Sequence, residues 1–118
     1  MLINFSNHPS EYWGQKHLEA AQEYGVIQDI PFPVVRPEAN YNEIQDLASQ
    51  YVGEILSYAS EHHITVHVMG EMTFTYHVVS LLKVLGITCV ASTTMRDPII
   101  APDGTEIPHF KFVQFREY

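Results

Sequence analysis

Apolar positions along this chain switch between the two-residue period of strands and the three-to-four-residue period of helices. Leu2–Phe5 is a short apolar run and reads as a strand that ends in Ser6-Asn7-His8-Pro9-Ser10. From Trp13 to Tyr24 the larger groups fall at helical spacing, with Trp13, His17, Ala20, Ala21 and Tyr24 on or near one face and Gly25 as the stop. Val26–Ile30 reads as a second strand, and Pro31, Pro33 and Pro37 mark an extended connection. Asn40 or Asn42 caps a helix running to about Ser60, with Ile44, Leu47, Ala48, Tyr51, Val52, Ile55 and Leu56 as its apolar stripe. Val66–Met69 is a third strand, and Gly70 closes it. Val78, Val79, Leu81, Leu82 and Leu85 then recur as a helix stripe that Gly86 stops. Ile87–Ala91 is a fourth strand, with Ser92-Thr93-Thr94 following as a polar loop. Pro98 to Pro102 and the Asp103-Gly104 turn predict an antiparallel hairpin whose second arm is His109–Tyr118.

The predicted order is β-α-β-α-β-α-β followed by a hairpin. It specifies an α/β domain: a Rossmann-like, mainly parallel sheet with helices on both faces and a C-terminal β-hairpin. With 118 residues and no repeat or linker, residues 1–118 form one domain. Loops at the carboxyl edge of such a sheet bind ligands, so candidate chemistry is sought in the segments after the first, third and fourth strands.

Composition narrows the classes. A net charge of −8 argues against a duplex-binding protein, so no DNA partner is expected. No stretch approaches a membrane span, and MLINF lacks the basic start of a signal peptide, so the expectation is a cytoplasmic protein without a membrane partner. The one cysteine, Cys89, lies in an apolar strand and reads as a core residue. Three of the six Lys and Arg residues, Arg96, Lys111 and Arg116, fall after residue 90. An anionic ligand would therefore need help from neutral donors.

The loop Gly70–Tyr76 has neither GxGxxG nor GxxxxGK[ST] spacing, so both nucleotide fingerprints are absent. It offers Gly70, Glu71, Thr73 and Thr75 at a helix start. Two readings stand: a phosphate- or ribose-holding loop, or a plain helix cap with Thr73 as N-cap. His8, with Ser6 and Asn7 after the first strand, is either a general acid or base or a loop histidine without chemistry. Ser92, Thr93 and Thr94 with Arg96 form either a phosphate cradle or a hydroxyl-rich turn beside a solvated arginine. His62, His63 and His67 lack the spacing of a metal site and read as a helix end plus a partly buried strand histidine. No GxSxG elbow supports Ser–His–Asp catalysis. Phe110, Phe112 and Phe115 read as core and hairpin packing rather than base-stacking groups.

Several of these segments together resemble a known group. Gly70-Glu71 followed by Thr75-Tyr76, then Thr93-Thr94-Met95-Arg96, then Asp103-Gly104-Thr105 with Phe110-Lys111, Val113, Phe115-Arg116 and Tyr118, are similar to motifs of the small Rossmann-like ring nucleases of type III CRISPR systems. That group is related to the CARF sensor domains. Asn4-Phe5-Ser6 with His8 is similar to its first strand and loop. The chain departs from the pattern at Glu71, where aspartate is frequent, at Thr73, where a second glycine is frequent, and at Gln114 and Glu117, where arginines are common.

The resemblance implies a homodimer that binds cyclic oligoadenylate, foremost cyclic tetra-adenylate, across its two-fold axis and cuts it to linear adenylates. The implied reaction uses no metal and no cofactor: a ribose 2′-OH attacks the adjacent phosphorus. On that view Arg96 stabilises transition-state charge, His8 moves a proton, and Glu71 serves as base or orients a partner. Ser6, Asn7, Gly70, Thr73, Thr75, Ser92, Thr93, Thr94, Lys111 and Arg116 would bind the ligand. Two alternatives stand beside it: a protein that sequesters the ring without cutting it, and an unrelated small nucleotide-binding enzyme of Rossmann-like fold.

Overall fold

The computed structural model describes residues 1–118. Its elements are β1 (Leu2–Ser6), a single 3-10 turn (Ser10–Tyr12), α1 (Gln15–Gln22), β2 (Ile27–Asp29), α2 (Tyr41–Leu56), β3 (Thr65–Met69), α3 (Met72–Val84), β4 (Thr88–Arg96), β5 (Ile99–Ile100), β6 (Glu106–Ile107) and β7 (Phe110–Glu117). The main sheet has the order β2-β1-β3-β4-β7. β1 to β4 run parallel and β7 is antiparallel to β4, as expected of a Rossmann-like α/β fold. The chain leaves β1 for β2 on one side and returns to β3 on the other, so the topological switch point lies between β1 and β3.

Strand alternation sorts the core into two faces. Ile3, Phe5, Val66, Val68 and Cys89 pack under α2 and α3 with Ile44, Ala48, Val52, Phe74, Val78 and Leu82 in one large apolar cluster. The stripe read for α2 and the core placement of Cys89 hold. Leu2 and Val90 face the other way, into a small cluster with Trp13, Ala21, Leu18, Tyr24 and Phe115 under α1. Helices therefore cover both faces, but unequally.

Local signals explain most element ends. Asn40 caps α2, its Oδ1 accepting from the Glu43 N–H at 2.9 Å. Gly86, after α3, takes φ +77°, which only glycine adopts without strain. Three boundaries differ from expectation. Trp13 precedes α1 instead of lying in it, because the 3-10 turn and Gly14 intervene; its ring is still buried. α2 stops at Leu56, short of Ser60. The third difference concerns the hairpin. The segment 98–102 supplies only the two-residue β5, and the partner of β7 is β4.

That last difference reshapes the carboxyl edge. β4 pairs with β3 only at Thr88, Cys89 and Val90, whereas its pairing with β7 continues to Arg96. Ser92-Thr93-Thr94 is thus strand, not loop, because β7 supplies the backbone partners that a loop would have found in water. From Ala91 onward β4 and β7 pair without β3; the base of this ribbon packs on α1 through Phe112 and Phe115, and beyond Thr94 it projects as an arm with β5 and β6 at its far end. The radius of gyration, 15.9 Å, exceeds the roughly 13–14 Å of a compact chain this long, as an arm requires. Met95, Ile99, Ile100, Ile107 and Phe110 on this arm are exposed, Phe110 by 61% and Ile100 by 65%. The packing role read for Phe110 is therefore not what this chain provides.

Gly70 has a steric reason to be glycine. A Cβ there would come within 2.2 Å of the Phe32 ring, which packs on Phe5 and Phe74 at centroid distances of 5.0 and 5.3 Å. Gly70→Ala must displace a core aromatic, and the expected cost is about 1–3 kcal/mol, read as a lowered midpoint in chemical denaturation. An unchanged midpoint would show that the Phe32 contact is soft.

Candidate functional site

The face of the sheet toward α1 carries polar side chains where the other face carries aliphatic ones. Asn4 of β1 and His67 of β3 are partners in register and are each 1% exposed. Buried polar groups of this kind require partners. Asn4 Nδ2 donates to the His8 carbonyl at 2.9 Å and to Asp29 Oδ1 at 2.8 Å. Its Oδ1 accepts from Ser6 Oγ at 2.7 Å and meets His67 Nδ1 at 2.9 Å. Two acceptors on one end of the amide fix its orientation, so His67 Nδ1 is the protonated nitrogen and His67 Nε2 carries the lone pair. Ser92 Oγ, 2.8 Å from that Nε2, donates to it. The same oxygen lies 3.1 Å from His17 Nε2 and, its proton being committed, accepts from it. A directed chain of hydrogen bonds thus runs from α1 through β4 and β3 to β1, with Asp29 of β2 at its end.

His17 is held flat between two aromatic rings. Trp13 stacks on one side at 3.8 Å and Phe112 on the other at 4.0 Å, each tilted only 7° from it. Phe115 closes the layer beneath, edge-on to His67 at 5.4 Å. Burial pushes the His17 imidazole down to about 4, with the nearby His8 charge adding to it. Burial also pushes His67 down to about 3, with His17 and His8 contributing. His67 is accordingly a fully buried residue rather than a partly buried one.

The residues singled out from sequence divide into three groups. Ser6 ends β1, and Asn7 and His8 follow it beside the switch point. Ser6 is buried and shapes the loop, its Oγ accepting from the His8 N–H at 3.1 Å. The Asn7 N–H donates to the Met69 carbonyl at 3.1 Å, and the His8 imidazole is exposed. Trp13 Nε1 also donates to the His8 carbonyl, at 3.1 Å, which ties this loop to the aromatic layer.

The second group, at Gly70, is committed to structure. Glu71, not Thr73, is the N-cap of α3: its carboxylate accepts from the N–H groups of Thr73 and Phe74 at 3.1 and 2.7 Å and from Thr73 Oγ1 at 2.8 Å. Burial opposes its ionisation, yet these bonds from Phe74 and Thr73 hold it below the usual carboxylate range. The carboxylate is thus engaged as a cap, which corrects the capping expectation for Thr73. Thr75 turns inward, and its Oγ1 is buried without a partner. It lines a cleft of about 330 Å³ with Met69, Gly70, Met72, Tyr76 and Tyr118.

The third group lies along the arm. Thr93 Oγ1 donates to the Gln114 carbonyl at 3.2 Å, and Thr94 follows a bulge opposite Phe112. Arg96 lies 3.7 Å from Glu106, and Lys111 pairs with Asp97 at 2.5 Å. Arg96 is four residues beyond Ser92, about 13 Å along the strand. Arg116 sits at the base of the arm, opposite Ala91. The three cations therefore do not converge on one point in the chain. No three His, Cys, Asp or Glu side chains converge to hold a metal ion. No helix is long and apolar enough to cross a membrane.

Sequence reading found Ser6, His8 and Ser92 but missed Asn4, His17 and Trp13 as members of one cluster. A signal was present: polar residues at alternate positions of β1, Asn4 and Ser6, and His67 inside an apolar strand, all point to one face.

The histidines imply an acid-labile fold. Both have folded values below their ordinary 6.5, so the unfolded chain binds protons that the folded one does not. Stability is whole above pH 6.5 and is lost as pH falls through about 4 toward 3. Urea-unfolding midpoints should decline through that window, and His67→Gln, which cannot titrate, should flatten the decline. Midpoints independent of pH would mean that the two imidazoles are not sealed as described.

Comparison with known proteins adds one finding. No curated protein and no solved structure matches the chain. The model of the family described as "Uncharacterized protein MJ1673 family" matches residues 1–116, from β1 to the penultimate residue of β7, and the chain belongs to that family.

Proposed function

We propose that this protein is a ring nuclease that binds cyclic oligoadenylate and opens it by attack of a ribose 2′-OH. The observation that carries the reading is the gathering of His8, His17, His67 and Ser92 at the carboxyl ends of β1, β3 and β4, beside the switch point where open α/β sheets receive ligands. The motif resemblance supplies the substrate.

In the proposed reaction a new bond forms between the 2′-oxygen and phosphorus, and the bond to the 5′-oxygen breaks. One imidazole accepts the 2′ proton, and the leaving 5′-oxygen takes up a proton. His17 and His67 are unprotonated at neutral pH, so neither is the donor. His8 is the exposed imidazole at the site and takes that role. The fold's work is chiefly to hold the 2′-OH in line and to stabilise charge on the phosphoryl oxygens.

The arm fits the homodimer implied by a symmetric ring. A two-stranded ribbon is marginal alone. The charges of this one are engaged with each other at Arg96–Glu106 and Lys111–Asp97, while its apolar side chains are bare. A second copy of the chain is the occupant we assign to it. Phe110→Asp with Ile100→Asp should convert dimer to folded monomer in sedimentation velocity. A wild-type monomer would remove the dimer from the reading.

Incubation with labelled cyclic tri-, tetra- and hexa-adenylate in EDTA tests the whole. Linear products ending in a 2′,3′-cyclic phosphate are expected, foremost from the tetra-adenylate. Tight binding with no product would identify a sequestering protein, and affinity for mononucleotides alone would favour the unrelated enzyme. Arg96→Ala should cut turnover by roughly 100-fold with its melting temperature unchanged. Equal turnover by that variant would end its role.

A further inference from the structure

The chain Asn4–His67–Ser92–His17 has the outline of a nucleophile relay, with Ser92 as the hydroxyl and His67 as its base. The surroundings argue otherwise. Ser92 Oγ is already in two hydrogen bonds, donating to one imidazole and accepting from the other. His67 is sealed at 1% exposure behind the amide of Asn4, so a proton placed on it is cut off from solvent.

The direction of the chain points to its other end. Asn4 Nδ2 faces two acceptors, so Asn4 Oδ1 takes the His67 Nδ1–H, His67 Nε2 takes the Ser92 O–H, and Ser92 Oγ takes the His17 Nε2–H. His17 Nδ1 is left with a bare lone pair. It has no partner in the protein, and Thr75 Oγ1 is the one buried side-chain polar atom without a partner. His17 Nδ1 therefore meets solvent. The ring that carries it cannot turn, being clamped between Trp13 and Phe112.

We infer that His17 is the proton-accepting residue of this site, locked as the Nε2–H tautomer by Asn4, His67 and Ser92, and that its Nδ1 receives the hydroxyl proton of the bound ligand. Asn4, His67 and Ser92 are positioning residues. Where the hydroxyl is a ribose 2′-OH, the inference rests on the reading above and deepens it by naming the base. The proton moves from the 2′-oxygen to His17 Nδ1 as the 2′-oxygen bonds to phosphorus, and the 5′-oxygen leaves with a proton from His8.

Two readouts test this on the full chain. Long-range ¹H–¹⁵N correlation spectra of ¹⁵N-histidine-labelled protein report which nitrogen of each ring holds the proton. His17 should show protonated Nε2 and bare Nδ1, and Ser92→Ala should turn this into a mixture of tautomers. A proton on His17 Nδ1, or a pattern indifferent to Ser92→Ala, overturns the inference without any substrate. In parallel, His17→Gln should lower kcat on cyclic tetra-adenylate by roughly 100-fold with KM little changed, and undiminished kcat would overturn it. If the wild-type protein cuts no cyclic oligoadenylate, the ring-nuclease reading falls, and the tautomer result alone supports or overturns the lock.

Discussion

Asn4 uses every hydrogen-bonding group of its side chain, and the arrangement of the sheet depends on its doing so. Its two N–H groups and two lone pairs reach the His8 carbonyl, Asp29, Ser6 and His67. An amide buried in this way is costly if any one of those bonds fails. The requirement therefore fixes more than one residue. It sets β2 beside β1 through Asp29, folds the loop after β1 back onto itself, and holds the His67 ring in one tautomer. Ser92 then ties β4 to β3 by side chains, just past the last backbone pair at Val90.

The two faces of the sheet solve different problems. Under α2 and α3 the core is a broad apolar cluster in which Phe5, Phe32, Tyr51 and Phe74 pack ring against ring. That face supplies the hydrophobic burial on which stability rests. Under α1 the apolar cluster is small, and the space nearer the carboxyl edge is filled by imidazoles, hydroxyls and an amide. A polar interior stabilises less than an aliphatic one of equal volume, but it specifies geometry more tightly because hydrogen bonds are directional. Local sacrifice of burial for orientation is what a reactive or binding site demands.

The arm is the third consequence of strand pairing. β4 loses β3 as a neighbour after Val90 and keeps β7, so the ladder continues away from the body. Its cations and acids pair along it, while Ile99, Ile100, Ile107 and Phe110 stay uncovered. The body ends in a polar cluster and the arm in an apolar surface.

Much of this fold is legible in the residues themselves. The alternation of strand and helix periods names the α/β class. Asn40 and Gly86 mark ends of helices by local chemistry, and the stripe from Ile44 to Leu56 states which side of α2 is buried. These are short-range properties, set by neighbours within a turn or two of chain. What the sequence could not disclose is long-range. Ser92-Thr93-Thr94 carries the composition of a loop and becomes strand because β7, some twenty residues on, pairs with it. Glu71 has the chemistry of a base and becomes a cap because α3 begins just after it. Asn4, His17, His67 and Ser92 are unremarkable residues at large separations, and only the parallel stacking of β1, β3 and β4 under α1 sets them within hydrogen-bond reach. Periodicity determined which elements form and which sides they bury. Tertiary structure alone decided which polar groups share a proton network, because a hydrogen bond is made by position in space and not by order along the chain.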